Sequence, residues 1–296
     1  MLRTCSAVAL AASLLSACVY APEAPPPPPM HHDMAGMPGE MTPEMHAHMM
    51  AMMAEHHAAQ PAGPRDLSVT VAPEAVGFDS ARLKMLDDYM AKVVADGRVA
   101  GMTTLLARHG QVVEFKTYGK ANEAGAPITK DSIFRIYSMT KPITGTAMMI
   151  LFEQGKWRLD DPVTRYVPEF KNLRVVKSIK KDGSLELEDM VRPPTMREIM
   201  SHTAGFGYGL AEEHPVDKLY RSEKVLSASS LKEMIDRTAK IPLMFQPGTN
   251  WSYSSAVDIQ GYIVEKLSGQ KFSDFMAANI FKPLKMTDTG FSTGAD

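Results

Sequence analysis

Ser138-Met139-Thr140-Lys141 stands immediately before the apolar run Pro142 to Phe152. A serine followed three residues later by a lysine means little alone, since the pair recurs at Ser178 and Lys181, Ser229 and Lys232, and Ser268 and Lys271. Only at Ser138 is it preceded by apolar Ile133, Phe134, Ile136 and Tyr137 and followed by a stretch almost free of charge until Glu153. Pro142 is tolerated only near a helix start, which places that start close to Ser138. Two side chains three apart then share a face, so the amine can reach the hydroxyl. Apolar surroundings would penalise the ammonium and lower its pKa, freeing a neutral amine to accept the serine proton. The helix N-terminus favours the anion so formed. The chemistry is nucleophilic catalysis, with Ser138 attacking and Lys141 as base. The same residues read equally as an N-cap serine followed by a snorkelling lysine.

Gln246-Pro247-Gly248-Thr249-Asn250-Trp251-Ser252-Tyr253-Ser254-Ser255 is a turn-rich loop that delivers a tyrosine just before the next helical pattern. Loops on a rigid scaffold often carry catalytic groups, although a buried ring with a satisfied hydroxyl is the commoner fate of a tyrosine. A second chemistry is conceivable near the N-terminus. Met30, Met34, Met37, Met41, Met45, Met49 and Met53 recur at spacings of three and four, interleaved with His31, His32, His46, His48, His56 and His57. Thioether and imidazole ligands suit copper, Cu(I) above all. The spacing suits a weak amphipathic helix or a solvated linker equally well.

The elements that must position these groups begin after that tract. Residues 1–17 read as a secretory leader, with Arg3 as its positive start and Ala7 to Leu15 as an apolar run too short to span a bilayer. Residues 18–65 read as a tether: beyond Tyr20 they hold a proline run, Pro25 to Pro29, with no further Phe, Tyr or Trp and Thr42 as the one β-branched residue. Such a segment cannot bury a core. Residues 66–296 read as globular. Ser80 to Ala95 is an amphipathic helix with a stripe of Leu83, Leu86, Tyr89, Met90, Val93 and Val94, Ser80 as N-cap and Gly97 as its end. Met102 to Arg108 and Gln111 to Tyr118 flank His109-Gly110 as a hairpin, with little else that is strand-like. Thr195 and Glu198 form a capping box before a short helix stopped by Gly205; Leu231 to Thr238, Val257 to Leu267 and Asp274 to Phe281 are further helices, the last two bounded by Gly269 and Pro283. A lone hairpin is marginal in water, so this pattern predicts strands missing from the C-terminal side and a longer parent protein.

Composition narrows the chemistry. The 296 residues are 45% hydrophobic, and 32 Lys and Arg against 34 Asp and Glu give a net charge of −2, which offers no footprint for nucleic acid. Cys5 and Cys18 are the only cysteines, so the globular part holds no disulfide framework, Cys-based zinc site or thiol nucleophile.

Taken together, Ser138-Met139-Thr140-Lys141, Met200-Ser201-His202-Thr203-Ala204-Gly205, Pro247-Gly248 with Tyr253-Ser254, and Pro283-Leu284-Lys285-Met286-Thr287-Asp288-Thr289-Gly290 resemble, in type and order, the motifs of serine hydrolases related to class C β-lactamases, D,D-peptidases and β-lactamase-like esterases. The resemblance runs from about Ala72 to the last residue. It implies an α/β, β-lactamase/penicillin-binding-protein-like fold: an antiparallel sheet flanked by helices, beside an all-helical region, with C-terminal strands missing. It implies Ser138 as acylated nucleophile, Lys141 as its partner and Tyr253 as the group sharing proton transfer, with no metal or organic cofactor and a small-molecule ester or amide as substrate. Whether lysine or tyrosinate takes the first proton stays open. Leu15-Ser16-Ala17-Cys18 likewise looks like a lipobox, which implies a diacylglycerol anchor on Cys18 and, with Val19 following, an envelope protein of the outer membrane facing the periplasm; an ordinary cut near Ala17 or Ala21 is the alternative.

Two departures matter. Relatives that cleave β-lactams and peptides usually carry Tyr-x-Asn to hold the substrate amide, and Ser255 occupies the asparagine's place as the expected substrate contact. The Tyr-Ser start with Asp258 and Gly261 is more similar to the esterase branch, which favours carboxylic esters over β-lactams or D-Ala peptides. The family's third motif, a Lys-Thr-Gly, His-x-Gly or Trp-x-Gly strand, is expected beyond residue 296. Without its oxyanion donor the chain alone is expected to be inactive or nearly so. His202 invites a triad reading, but Lys141 and Tyr253 account for the base, so a structural role in a turn under the cleft is expected. The competing readings are a non-catalytic penicillin- or peptidoglycan-binding lipoprotein and a copper-handling lipoprotein that works through its tether.

Overall fold

The computed structural model describes residues 69–292. The expected leader, the expected anchor at Cys18 and the Met/His tract that includes Met30, Met34, Met37, Met41, Met45, His46 and His48 lie outside the described residues. Those described fall into two compact units, one of residues 69–83 and 105–115, the other of residues 84–104 and 116–292.

In the first unit Thr70 bridges in parallel to Val112, whose carbonyl accepts the Val71 N–H at 2.9 Å. Strands β1 (Gly101–Arg108) and β2 (Gln111–Gly119) form the expected hairpin. His109 and Gly110 turn it with φ of 50° and 70°, the double left-handed geometry that matches strand twist. Helix α1 (Ser80–Ala95) is capped by Asp79 and not by Ser80: the Asp79 carboxylate accepts the Arg82 N–H at 2.8 Å, while Ser80 is already helical and bonds to Glu74. No residue of α1 is buried, and Leu86 and Tyr89 of the expected apolar stripe are exposed.

The second unit holds the large core. Helix α2 (Thr140–Glu153) contributes Ala147, Met148 and Leu151 and packs against α6 (Ala256–Ser268), which contributes Ile259, Ile263 and Val264. Fully burying a side chain such as Leu151 is worth about 1.5–3 kcal/mol. Around this pair lie α3 (Met196–Ser201), α4 (Pro215–Ser222), α5 (Leu231–Thr238) and α7 (Phe272–Met276), the last continuing as a π-helical turn through Phe281. Trp157 is sealed in the core with its indole N–H donating to the Met148 carbonyl at 2.8 Å, and Phe170 meets Phe206 at 5.1 Å between ring centres.

Three features depart from the pattern expected of the sequence. A second antiparallel hairpin exists, β3 (Arg174–Ile179) with β4 (Leu185–Asp189), bulged between Val176 and Ser178. Basic residues interrupt its β-branched run, which hid the alternation, while Asp182-Gly183 supplies the turn. Helix α4 is a further element beyond the expected ones; Pro215 sits in its first turn, where a missing N–H costs nothing. The capping box of α3 is present, but the helix ends at His202 in the left-handed conformation, three residues before Gly205. Helices α5 and α6 match expectation, and Gly269 closes α6 at φ 71°. Among the described residues no helix is long and apolar enough to cross a membrane.

Candidate active site

Ser138 lies in a 3-10 turn, Tyr137–Met139, that runs directly into α2. Tyr137 enters it at φ 44°, an uncommon conformation for a side chain of that size. Pro142 is the third residue of α2, within the first turn, where proline is tolerated. Local helical spacing then brings Lys141 Nζ to 3.3 Å from Ser138 Oγ, and Ser138 itself is exposed.

Tyr253 arrives from far away. Leu243 runs beside β3, its N–H donating to Arg174 O at 2.8 Å, and the chain then follows the 202–207 segment through four backbone hydrogen bonds. Met244 donates to Gly205, Gly248 to Thr203, Ser252 to His202 and Ser255 to Gly207, all between 2.7 and 3.0 Å. The glycines are sterically required. A Cβ on Gly205 (φ 93°) would stand 2.5 Å from the Phe245 carbonyl, and one on Gly248 (φ 84°) 2.5 Å from Glu198 Oε1. Gly248 is tucked beneath an ion pair: Arg192 Nη2 reaches Glu198 Oε1 at 2.5 Å and the Pro247 carbonyl at 3.1 Å. Burial, the largest influence on Glu198, pushes its carboxyl up, but the Arg192 and Thr195 hydrogen bonds outweigh it and hold the group below its ordinary range. Gln246 adds a clamp to β4, donating to Glu188 at 2.7 Å and to Asp189 O at 3.0 Å.

This scaffold sets the Tyr253 hydroxyl 2.7 Å from Ser138 Oγ. Lys141 Nζ stands over the Tyr253 ring at 4.6 Å and over Tyr208 at 5.5 Å. The expectation of apolar surroundings for Lys141 is therefore corrected: the amine is half-buried among aromatic π faces, which attract a cation. Tyr208 meets Tyr253 edge-on at 5.3 Å and is held by Asp217, which accepts the N–H groups of Tyr208, Gly209 and Ala211 at 2.8–3.0 Å. Burial, then the charges of Asp258 and Tyr253, push the Tyr208 phenol up. Burial likewise pushes the Asp258 carboxyl up against the opposing pull of Lys141. His202 stacks on Tyr253 at 5.2 Å with an 18° interplanar angle, and the exposed Trp251 indole stands edge-on to His202 at 6.1 Å.

Ser138, Lys141 and Tyr253 thus converge on one oxygen. An ammonium has only donors, so its contact with Oγ is a donation, and the serine hydrogen can then point at the tyrosine oxygen. Ser255 is placed differently from expectation: it is fully buried, its N–H is spent on Gly207, and its side chain lies against the buried Tyr220 hydroxyl, so it is no substrate contact. Sequence reasoning missed Tyr208, Asp217 and the Arg192–Glu198 pair. The Gly205-Phe206-Gly207-Tyr208-Gly209 run was the one available signal, because alternating glycines mark close backbone approach.

Comparison with known proteins places the chain in a family. The chain matches the Beta-lactamase family over residues 86–296. It is 36% identical over 229 residues to esterase EstB of Burkholderia gladioli, a match covering 76% of this chain and 55% of that protein. It is 29% identical to the lovastatin esterase of Penicillium rubens, over 56% of this chain and 41% of that protein. The solved structure of EstCE1, described as a hydrolase with promiscuous acyltransferase activity, superposes with a TM-score of 0.62 at 29% identity, covering 73% of this chain and 55% of the other. The chain spans about half the length of the curated relatives it matches. With its motifs in order, its serine, lysine and tyrosine gathered at one point and its fold shared with a solved hydrolase, this chain belongs to the Beta-lactamase family.

Proposed function

We propose that the protein is a serine hydrolase that cleaves carboxylic esters through an acyl-enzyme on Ser138. The observation that carries this is the Ser138 oxygen lying 2.7 Å from the Tyr253 hydroxyl and 3.3 Å from Lys141 Nζ. As Ser138 Oγ bonds to the carbonyl carbon, its proton passes to the coupled Tyr253–Lys141 pair, which for this step holds one proton fewer than a phenol beside an ammonium, and Lys141 offsets the charge that develops. The Ser138 N–H, in the first turn of its helical segment, serves in this reading as an oxyanion donor. Collapse expels the alkoxide, which takes the proton back. Water then gives a proton to the same pair as its oxygen bonds to the acyl carbon; the bond to Ser138 Oγ breaks, that oxygen takes the proton back, and the acid leaves.

Esters are favoured over β-lactams and peptides because the residue two after Tyr253 is the buried Ser255, which cannot grip a substrate amide. The EstB and lovastatin esterase names support the same class. The test, made on the entire gene product, is p-nitrophenyl butyrate turnover together with mass spectrometry after a fluorophosphonate probe. An adduct on Ser138 supports the reading; turnover without Ser138 labelling, or neither, refutes it. We further propose envelope anchoring through Cys18, on the strength of Leu15-Ser16-Ala17-Cys18. Palmitate labelling that survives Cys18→Ser would exclude it.

A further inference from the structure

His202 holds the Ser252–Ser254 segment at three points. Its ring stacks on the tyrosine ring at 5.2 Å. Its Nδ1 accepts the Ser254 N–H at 3.2 Å and lies 2.9 Å from the Ser254 hydroxyl, which is buried. Its own carbonyl accepts the Ser252 N–H at 3.0 Å. One residue therefore holds the backbone on both sides of Tyr253 and the ring between them. The left-handed backbone at the end of α3, φ 60°, is what turns the imidazole into this place.

We propose that His202 is a positioning residue for Tyr253: its neutral ring, with the proton on Nε2, seats the tyrosine so that the phenol oxygen stays on Ser138. This rests on the acyl-enzyme reading above. An Nδ1 that accepts from the Ser254 N–H must be unprotonated, so the single hydrogen of the neutral ring is on Nε2. The groups around it enforce that state. Lys141 on α2 presents its charge across the Tyr253 ring, Tyr208 meets that ring edge-on, and Asp258 on α6 feels the charge of Lys141 and pushes on the Tyr208 phenol. Burial, then Lys141, pushes the His202 imidazole below its ordinary 6.5. Protonation would remove the Nδ1 acceptor, break the hold on Ser254 and set a second cation against Lys141.

The experiment uses the entire gene product. Long-range nitrogen–proton spectra, assigned by comparison with His202→Asn, are expected to show Nδ1 bare, Nε2 protonated and a titration midpoint below 6.5. The rate of Ser138 labelling by a fluorophosphonate is then followed from about pH 5 to pH 8. Asparagine tolerates the left-handed backbone and keeps a side-chain acceptor, but neither stacks as well nor titrates. His202→Asn is expected to slow labelling by about ten- to a hundredfold and to remove the acid limb contributed by the imidazole. His202→Phe, which keeps the stack and loses the acceptor, is expected to slow labelling as well. An unchanged acid limb in His202→Asn, or a protonated Nδ1 in the wild type, overturns the proposal. If His202→Asn does not fold, the wild-type spectra and His202→Phe decide it. If the wild type is never labelled, the acyl-enzyme reading has failed instead, and the spectra alone judge the seat.

Discussion

Ser138 and Lys141 meet across three residues at the start of one helix, whereas Tyr253 reaches the same oxygen across 115 residues of chain. The first segment needs only a helix start, which Pro142 and the following apolar run provide. The second is held by four backbone hydrogen bonds to the 202–207 segment, two glycines without room for a Cβ, an Arg192–Glu198 pair and the Gln246 clamp on β4. The difference separates what spacing can build from what only tertiary packing can build. Substitutions in the first segment should change chemistry and leave stability alone; those supporting the second should cost both.

The contrast is sharpest at Ser138. Ser138→Ala is expected to abolish the fluorophosphonate adduct while leaving the denaturation midpoint unchanged, because the residue is exposed; a large loss of stability would show that the first segment is not self-sufficient. Tyr253→Phe is expected to slow labelling by about 10²–10⁴-fold with native circular dichroism. Retention of most of the rate would mean that the long-range segment supplies no chemistry. Glu198→Ala removes the ion pair and half of the capping box, and urea titration is expected to register a loss of about 2–4 kcal/mol, with slower labelling alongside. Gly248→Ala forces a Cβ onto that pair at positive φ and is expected to cost about 1–3 kcal/mol; a neutral result would show the loop adjusting freely.

The smallest effect is a pH slope. His202 titrates below its ordinary 6.5 in the fold, so between that lowered value and 6.5 the unfolded chain binds a proton that the fold refuses. Stability from this source is complete above 6.5 and declines as pH falls through the window. His202→Asn should lack that decline; an identical slope would place His202 outside the supporting network.

The same contrast explains what could be read in advance. The Ser138–Lys141 pair, the His109-Gly110 hairpin and helices α5 and α6 follow from periodicity, capping and turn chemistry within a few residues. Tyr253 was visible as a loop residue, and its partner atom was supplied by family resemblance, since nothing in spacing links residues so far apart. Asp217 could not be read at all: its role is to accept three backbone N–H groups from a loop six to nine residues upstream, on a helix whose signals were a proline and one acidic residue. Ser255 shows the reverse failure. Motif position marked it as a contact, yet a fully buried side chain cannot be one.

The two tryptophans divide in a way that gives the molecule an optical gauge. Trp157, locked inside the helical core, emits as a constant reference. Trp251 stands in solvent beside the His202 imidazole, and a cationic imidazole dims a neighbouring indole. Red-shifted fluorescence should therefore report, without any added dye, the charge beneath the tyrosine and the arrival of a guest at the site.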